Sequence, residues 1–157
     1  MTASPPLRLS ARTVEAIARH AVASFPEECC GVVFSDGSVE RTHPLTNIQN
    51  KLHALDPQTF PRTATIAYAM DPKELEIAMG EAETAGARLK AFYHSHPNHD
   101  AYFSEEDKAF ACPFGEPNFP GVAQIVVSIY DGAVKRVRAY GWSEEAKDFV
   151  EVAVEKA

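Results

Sequence analysis

The sequence lacks any apolar run long enough to cross a membrane. Its first ten residues, MTASPPLRLS, also lack the apolar core of a secretion signal. No segment repeats, and none is of low complexity. These absences argue against a membrane partner and predict a cytoplasmic protein.

Cysteine is scarce as well, with three residues and no Cys-x-x-Cys motif. Cys29 and Cys30 are adjacent within the apolar run CCGVVF, a setting that favours buried free thiols over zinc ligands. Adjacent cysteines also cannot form the framework of a secreted disulfide scaffold. Cys112 precedes Pro113, and we interpret it as structural rather than nucleophilic.

Positively charged residues are outnumbered by negatively charged ones. The chain has 15 Lys and Arg against 22 Asp and Glu, which gives a formal net charge of −7. A nucleic-acid-binding domain usually has a basic face, so we expect no nucleic-acid partner.

What the sequence does have is a 45% apolar fraction over 157 residues, typical of a soluble globular chain. That length predicts one domain over residues 1–157 with its own core.

Apolar periodicity and turn residues divide the chain into interleaved helices and strands. Helices are expected over residues 10–24, 71–86 and 104–111. Strands are expected over 29–34, 38–45, 63–70, 88–96, 122–130 and 133–142. A last strand is expected near 150–154, where it could form an edge of the sheet. The segment 46–62 has little periodicity and is expected to be a long loop, a type that is often functional. Asp-Gly pairs at 36–37 and 131–132 predict two hairpins, so the chain is predicted to be an α/β domain with a mixed, largely antiparallel sheet flanked by helices.

The stretch AFYHSHPNHDAYFSEED, residues 91–107, contains the candidate metal-ligating residues. His94 and His96 are two residues apart, so a strand presents both imidazoles on the same face. Pro97 ends the strand, and Ser104-x-x-Asp107 begins a helix whose first turn can fold back toward the histidines. Two imidazoles and a carboxylate with an open fourth position are typical of a catalytic zinc site.

The Ser104-x-x-Asp107 spacing has an ordinary structural interpretation too. Serine is a favoured helix cap, and acids are favoured in a first turn. The longer pattern favours more than a cap, because the same spacing follows HSHP after six residues and a distant ECCG segment lies upstream at 28–31.

Together these segments resemble the JAMM motif of the MPN-plus metalloproteases, whose upstream segment is similar to Glu-x-Cys-Gly. The resemblance extends from about Leu9 to Trp142. It implies an MPN-like fold, related to that of cytidine deaminases. It also implies a single-domain zinc peptidase or isopeptidase that cleaves after the C-terminal Gly-Gly of a small ubiquitin-like or sulfur-carrier protein.

The resemblance also implies a role for each motif residue. His94, His96 and Asp107 would bind one Zn²⁺ per chain, which would activate water at neutral pH. Glu28 would be the general base and proton shuttle. Ser104 would donate a hydrogen bond to the oxyanion. Ser95 lies between the ligands and should face away from the metal.

Other residues near the motif have open assignments. Tyr102 and Phe103 either line a substrate groove or pack beneath the loop. His99 and Asp100 are possible but disfavoured extra ligands, since the triad is already complete. Glu27 should point away from its neighbour Glu28.

Two other classes of function remain open from the sequence: a non-catalytic MPN scaffold and a general zinc metallopeptidase. A base or nucleoside deaminase is disfavoured, because its His-x-Glu and Pro-Cys-x-x-Cys motifs are missing.

Overall fold

The computed structural model describes residues 4–157. Its helices are α1 (Ala11–Ser24), α2 (Gln49–Leu55), α3 (Pro72–Thr84) and α4 (Glu105–Ala111). Its strands are β1 (Leu7–Leu9), β2 (Cys30–Ser35), β3 (Glu40–Leu45), β4 (Arg88–Pro97), β5 (Ala123–Tyr130), β6 (Ala133–Ser143), β7 (Asp148–Val152) and β8 (Val154–Lys156). Among these described residues, no helix combines the length and the apolarity needed to span a membrane.

Six strands form the central sheet in the order β3-β2-β4-β5-β6-β7. All neighbours in it are antiparallel except β4 and β5, which run parallel. The predicted mixed, largely antiparallel sheet with flanking helices is therefore confirmed. The strand with both histidines, β4, lies inside the sheet and is paired on both sides.

The two faces of the sheet are covered by different helices. On one face, Ile17 and Ala21 of α1 pack in a cluster with Tyr93 of β4. On the other, Ala78 of α3 packs with Phe92. Because side chains alternate along a strand, His94 and His96 lie on the α3 face, which leaves them on the opposite side from α1.

The segment between β3 and α3 differs from the prediction. Residues 46–62 contain the short helix α2, and residues 63–70 form turns and irregular chain instead of a strand. The sequence TIAYAM has strand-forming composition, but within 63–70 only Met70 joins a bridge, to Asn47. Tertiary hydrogen bonds to side chains determine this segment, and composition does not reveal them.

The tail forms two strands instead of the single one expected. The first, β7, is the outer strand of the central sheet, as the pattern indicated. The second, β8, pairs in parallel with β1, and the pair brings the two ends of the described chain together. The three residues of β1 were too few for any periodicity to show.

Candidate metal centre

Strand β4 presents both histidines at the edge of the cleft where it ends. His94 and His96 are buried, with 1% and 6% of their surfaces exposed. Pro97 is the last strand residue, and Asn98 follows with a positive φ of 58° that turns the chain away. The chain then passes through residues 98–103 to the start of α4.

Helix α4 begins with a reciprocal capping pair. The Ser104 hydroxyl oxygen accepts a hydrogen bond from the Asp107 backbone N–H (3.1 Å), and the Ser104 N–H donates to Asp107 Oδ2 (3.0 Å). The same Oδ2 lies 3.2 Å from His94 Nε2 and 3.4 Å from His96 Nε2. The capping interpretation of Ser-x-x-Asp is therefore confirmed, and the cap fixes the carboxylate beside the imidazoles, so a metal-binding role for Asp107 is compatible with it.

The three facing atoms fit a tetrahedral cation. The two Nε2 atoms are 3.1 Å apart, which completes a triangle with Asp107 Oδ2. Nitrogen and oxygen ligands about 2.0–2.1 Å from zinc, at tetrahedral angles, lie about 3.3 Å from one another. His94, His96 and Asp107 are the one such group of possible metal ligands found among residues 4–157.

Neighbouring groups orient both rings. His96 Nδ1 lies 2.9 Å from the Asp100 carbonyl, to which it donates, so its Nε2 lone pair faces the centre. The Tyr68 ring stacks on His94 at 4.4 Å, and the Tyr102 ring meets His96 edge-on at 5.0 Å. Sequence reasoning missed Tyr68, since nothing in its spacing relates it to the motif.

The pKa shifts of His94 and Asp107 favour metal binding, whereas that of His96 favours the protonated ring, which must lose its proton to bind a metal. Burial lowers the pKa of His94 and so favours the neutral imidazole that ligates metals. Burial opposes ionisation of Asp107, but the adjacent His94 and His96 outweigh it and hold the pKa of that carboxyl far below its usual range. For His96, burial is outweighed by hydrogen bonds to Asp107 and Asp100, which raise its pKa.

Glu28 reaches the same site from the chain just before the neighbouring strand, β2. In the antiparallel register, Cys30 lies opposite His94, so two further steps place Glu28 opposite His96. Its side chain is 7% exposed. Burial, with Asp107 nearby, raises the pKa of Glu28 to about 8. Glu27 is exposed and accepts a hydrogen bond from Asn50 instead.

An open cleft of about 600 Å³ lies over these groups. Segments 49–69 and 96–110 line it, and a salt bridge of 2.7 Å from Arg62 to Glu106 joins the two walls. The sequence indicated a functional loop at 46–62, but gave no signal for Gln49, Arg62 or Phe110 as lining residues.

The open assignments near the motif are resolved by burial. Tyr102 is 51% exposed at the cleft, whereas Phe103 is 7% exposed and packs on Tyr140 and Phe149. Phe103 is therefore a residue beneath the loop and does not line the groove. His99 and Asp100 are exposed and lie outside the ligand triangle.

Ser95 points to the other face of the sheet, where its hydroxyl oxygen accepts a hydrogen bond from the Cys29 N–H at 2.8 Å. That bond ties the residue before β2 to β4 next to the site. Cys29 and Cys30 are buried free thiols, as predicted.

Comparison with known proteins shows the family of the chain. Residues 10–140 match the family described as prokaryotic homologs of the JAB domain. A desampylase from Haloferax volcanii is 32% identical over 156 residues, which cover 95% of this chain and 96% of that protein.

Solved structures share the fold. A protein from Desulfitobacterium hafniense has a TM-score of 0.71 at 22% identity, covering 96% of this chain and 92% of its own. A structure described as a JAMM metalloprotease-like zinc site in the proteasome and signalosome has a TM-score of 0.51 at 17% identity, covering 97% and 98%.

The chain belongs to the family of prokaryotic JAB-domain proteins. The sequence resemblance is thereby confirmed.

Proposed function

We propose that the protein is a zinc-dependent peptidase or isopeptidase that cleaves after the C-terminal Gly-Gly of a small ubiquitin-like or sulfur-carrier protein. One observation supports this most directly. Three ligand atoms from His94, His96 and Asp107 form a zinc-sized triangle beside a buried carboxyl group, Glu28, in an open cleft. Bound zinc, one per chain, would supply the Lewis acidity that activates water and polarises the scissile carbonyl.

Glu28 is assigned the proton transfer. Within residues 4–157 its carboxyl group makes no hydrogen bond to another side chain, and its pKa of about 8 in the metal-free site lies near neutral pH. A carboxylate there can take a proton from water and then pass it to the leaving amine. Burial in the cleft keeps bulk water from competing for that proton.

Ser104 is assigned the oxyanion contact. Its oxygen accepts the capping bond from the Asp107 N–H. A hydroxyl has two acceptor lone pairs and one donor proton, so the O–H remains free to donate into the cleft. Such a donor, placed where negative charge develops, stabilises the transition state more than the ground state.

The substrate class is supported by the family, by similarity to a desampylase and by the shape of the cleft. An open groove at a strand end admits an extended tail. Glycines suit the position nearest the metal, because they let the backbone approach closely. Tyr102, exposed at the rim, can cover the thin tail. A cytoplasmic location accords with the free cysteines.

The test is incubation of the zinc-loaded protein with small ubiquitin-like carriers bearing C-terminal extensions, followed by intact-mass spectrometry. We expect a new carrier species that ends at Gly-Gly. Glu28→Gln should abolish nearly all turnover, since an amide cannot accept the proton, and Glu27→Gln should retain it.

Two results would contradict the proposal. Equal losses in the two glutamate variants would remove the role of Glu28. Cleavage of unrelated unfolded peptides as fast as any Gly-Gly carrier would instead assign a general zinc metallopeptidase.

A further inference from the structure

The side-chain amide of Asn47 makes four hydrogen bonds, each to the backbone of a residue that lines the cleft. Its Nδ2 donates to the carbonyls of Glu28 (2.9 Å) and Ala67 (3.2 Å). Its Oδ1 accepts from the N–H groups of Gln49 and Ala69, both at 3.0 Å. Two donors and two lone pairs are the whole capacity of an amide, so every position is used. If the amide were rotated by half a turn, its N–H groups would face the N–H groups of Gln49 and Ala69, and its oxygen would face the two carbonyls. The hydrogen bonds therefore fix its orientation.

These four bonds join three segments that are not paired with one another as β-strands. One is the start of α2, at Gln49. Another is the backbone of Glu28, just before β2. The third, 67–69, contains Tyr68, whose ring stacks on His94 at 4.4 Å. One amide therefore links the backbone of the assigned base to the residue that covers a metal ligand.

We propose that Asn47 is a positioning residue: its two N–H donors hold the Glu28 and Ala67 carbonyls, and thereby hold Glu28 and Tyr68 at their distances from the metal centre. Asn47 itself contributes no atom to the ligand triangle. The proposal rests on the role assigned to Glu28 and does not depend on which protein is the substrate.

Asparagine suits this position because its short side chain has donors and acceptors on one rigid amide plane. Aspartate has the same shape and keeps the acceptor side, toward Gln49 and Ala69. It has no donor, and its charge faces the two carbonyls. Asn47→Asp therefore removes the contacts toward Glu28 while leaving those that begin α2. Asn47→Ala removes all four.

Asn50 provides a matched control in the same segment. Its Oδ1 accepts from the Ala64 N–H at 2.7 Å, and its Nδ2 donates to the Glu27 carboxylate at 3.1 Å. Asn50→Ala loosens the same wall, including Ala64, whose carbonyl accepts from the Glu28 N–H at 2.8 Å. It keeps the bond from Asn47 to the Glu28 carbonyl, so it reports the effect of loosening without the loss of that bond.

The experiment measures kcat and KM of zinc-loaded wild type, Asn47→Asp, Asn47→Ala and Asn50→Ala on a peptide with a Gly-Gly-aminocoumarin end, with zinc content measured in parallel. Loss of a group that orients a site residue costs about 10- to 100-fold. We expect kcat to fall by that factor in both Asn47 variants, with KM and zinc content nearly unchanged, and Asn50→Ala to stay within about threefold of wild type. Equal kcat losses in Asn47→Asp and Asn50→Ala would overturn the proposal.

Crystal structures of wild type and Asn47→Asp give a readout that needs no substrate. Displacement of the Glu28 backbone, with the Gln49 and Ala69 contacts kept, is expected. An unmoved Glu28 would overturn the inference even if the variant were inactive. Wild type that cleaves no Gly-Gly substrate, together with a displaced Glu28 in the variant, would contradict the proposed function alone.

Discussion

In the proposed mechanism Ser104 has two separable tasks, each performed by a different atom of its hydroxyl group. The oxygen caps α4 through the Asp107 N–H, and the proton is free for the substrate. Ser104→Ala should lower the unfolding free energy by about 1 kcal/mol through the lost cap. It should also lower turnover by about two to three orders of magnitude through the lost oxyanion donor.

Ser104→Asp distinguishes the two tasks, because an ionised aspartate caps well and cannot donate. We expect its thermal unfolding to resemble wild type and its turnover to resemble Ser104→Ala. Its charge beside the metal is monitored through zinc content. A stable and fully active Ser104→Asp enzyme would remove the oxyanion role.

The residues that sequence could predict are those whose spacing reflects local geometry. His94 and His96 follow from strand alternation, and Ser104 and Asp107 follow from the first turn of a helix. Glu28 is distant in sequence and was predicted from the resemblance of the ECCG segment, but its place beside His96 becomes apparent only when β2, which begins two residues later, pairs with β4. Tyr68 and Asn47 act through contacts between segments that have no periodic pattern, so no reasoning from sequence identified them.

At the scale of elements, the pairing of β2 with β4 depends on a glycine. Gly31 lies opposite Tyr93, and a Cβ on it would come within 2.3 Å of the Tyr93 ring. That ring is buried and bonded to His20 Nδ1 at 2.7 Å, so it cannot move aside. Gly31→Ala should lower the unfolding free energy by about 3 kcal/mol, at the upper end of overpacking costs.

Gly80 is the matched control for that substitution. It is exposed in α3, with no atom within 4 Å of an added Cβ. Gly80→Ala should therefore raise the unfolding free energy by about 0.5–1 kcal/mol, since alanine favours a helix. Urea titrations of both variants measure the difference. A Gly31→Ala protein as stable as wild type would contradict the close packing of Gly31 against the Tyr93 ring.

Elements with a strong local signal were predicted, and those fixed by tertiary bonds were not. Helix α1 has its Ser10 cap and its apolar positions in the sequence. The N-cap residue of α2, Ile48, has a side chain that makes no capping bond, and Leu55 is 74% exposed, so the helix shows no amphipathic pattern. It is fixed by bonds such as Gln49 Nε2 to the Arg62 carbonyl at 3.0 Å. The strand predicted over 63–70 is wrong for the same reason, because tertiary hydrogen bonds determine the conformation of that segment.

At the scale of the whole molecule, the buried site makes the stability of the metal-free protein depend on pH. Glu28 has a pKa of about 8 in the folded chain against an ordinary value of 4.5. Between these values the folded chain keeps a proton that the unfolded chain releases. The contribution of Glu28 is therefore full below about pH 4.5 and is lost as the pH rises through about 8.

Glu28→Gln should remove that part of the pH dependence, which amounts to at most about 1.4 kcal/mol per pH unit. Because the pKa values of His94 and His96 shift in opposite directions, the difference between wild type and variant is the quantity to measure. Urea unfolding of both metal-free proteins from pH 5 to 8.5 measures it. Parallel stability curves for the two proteins would contradict the burial assigned to Glu28.

The central claim is that His94, His96 and Asp107 form one zinc site, and zinc content per chain tests it most directly. Plasma mass spectrometry on dialysed protein should give about one zinc per chain for wild type and for His99→Ala, whose side chain lies outside the triangle. His94→Ala, His96→Ala and Asp107→Ala should each lose the metal while remaining folded by circular dichroism. Folded ligand variants that retain stoichiometric zinc would contradict the assignment of these three ligands.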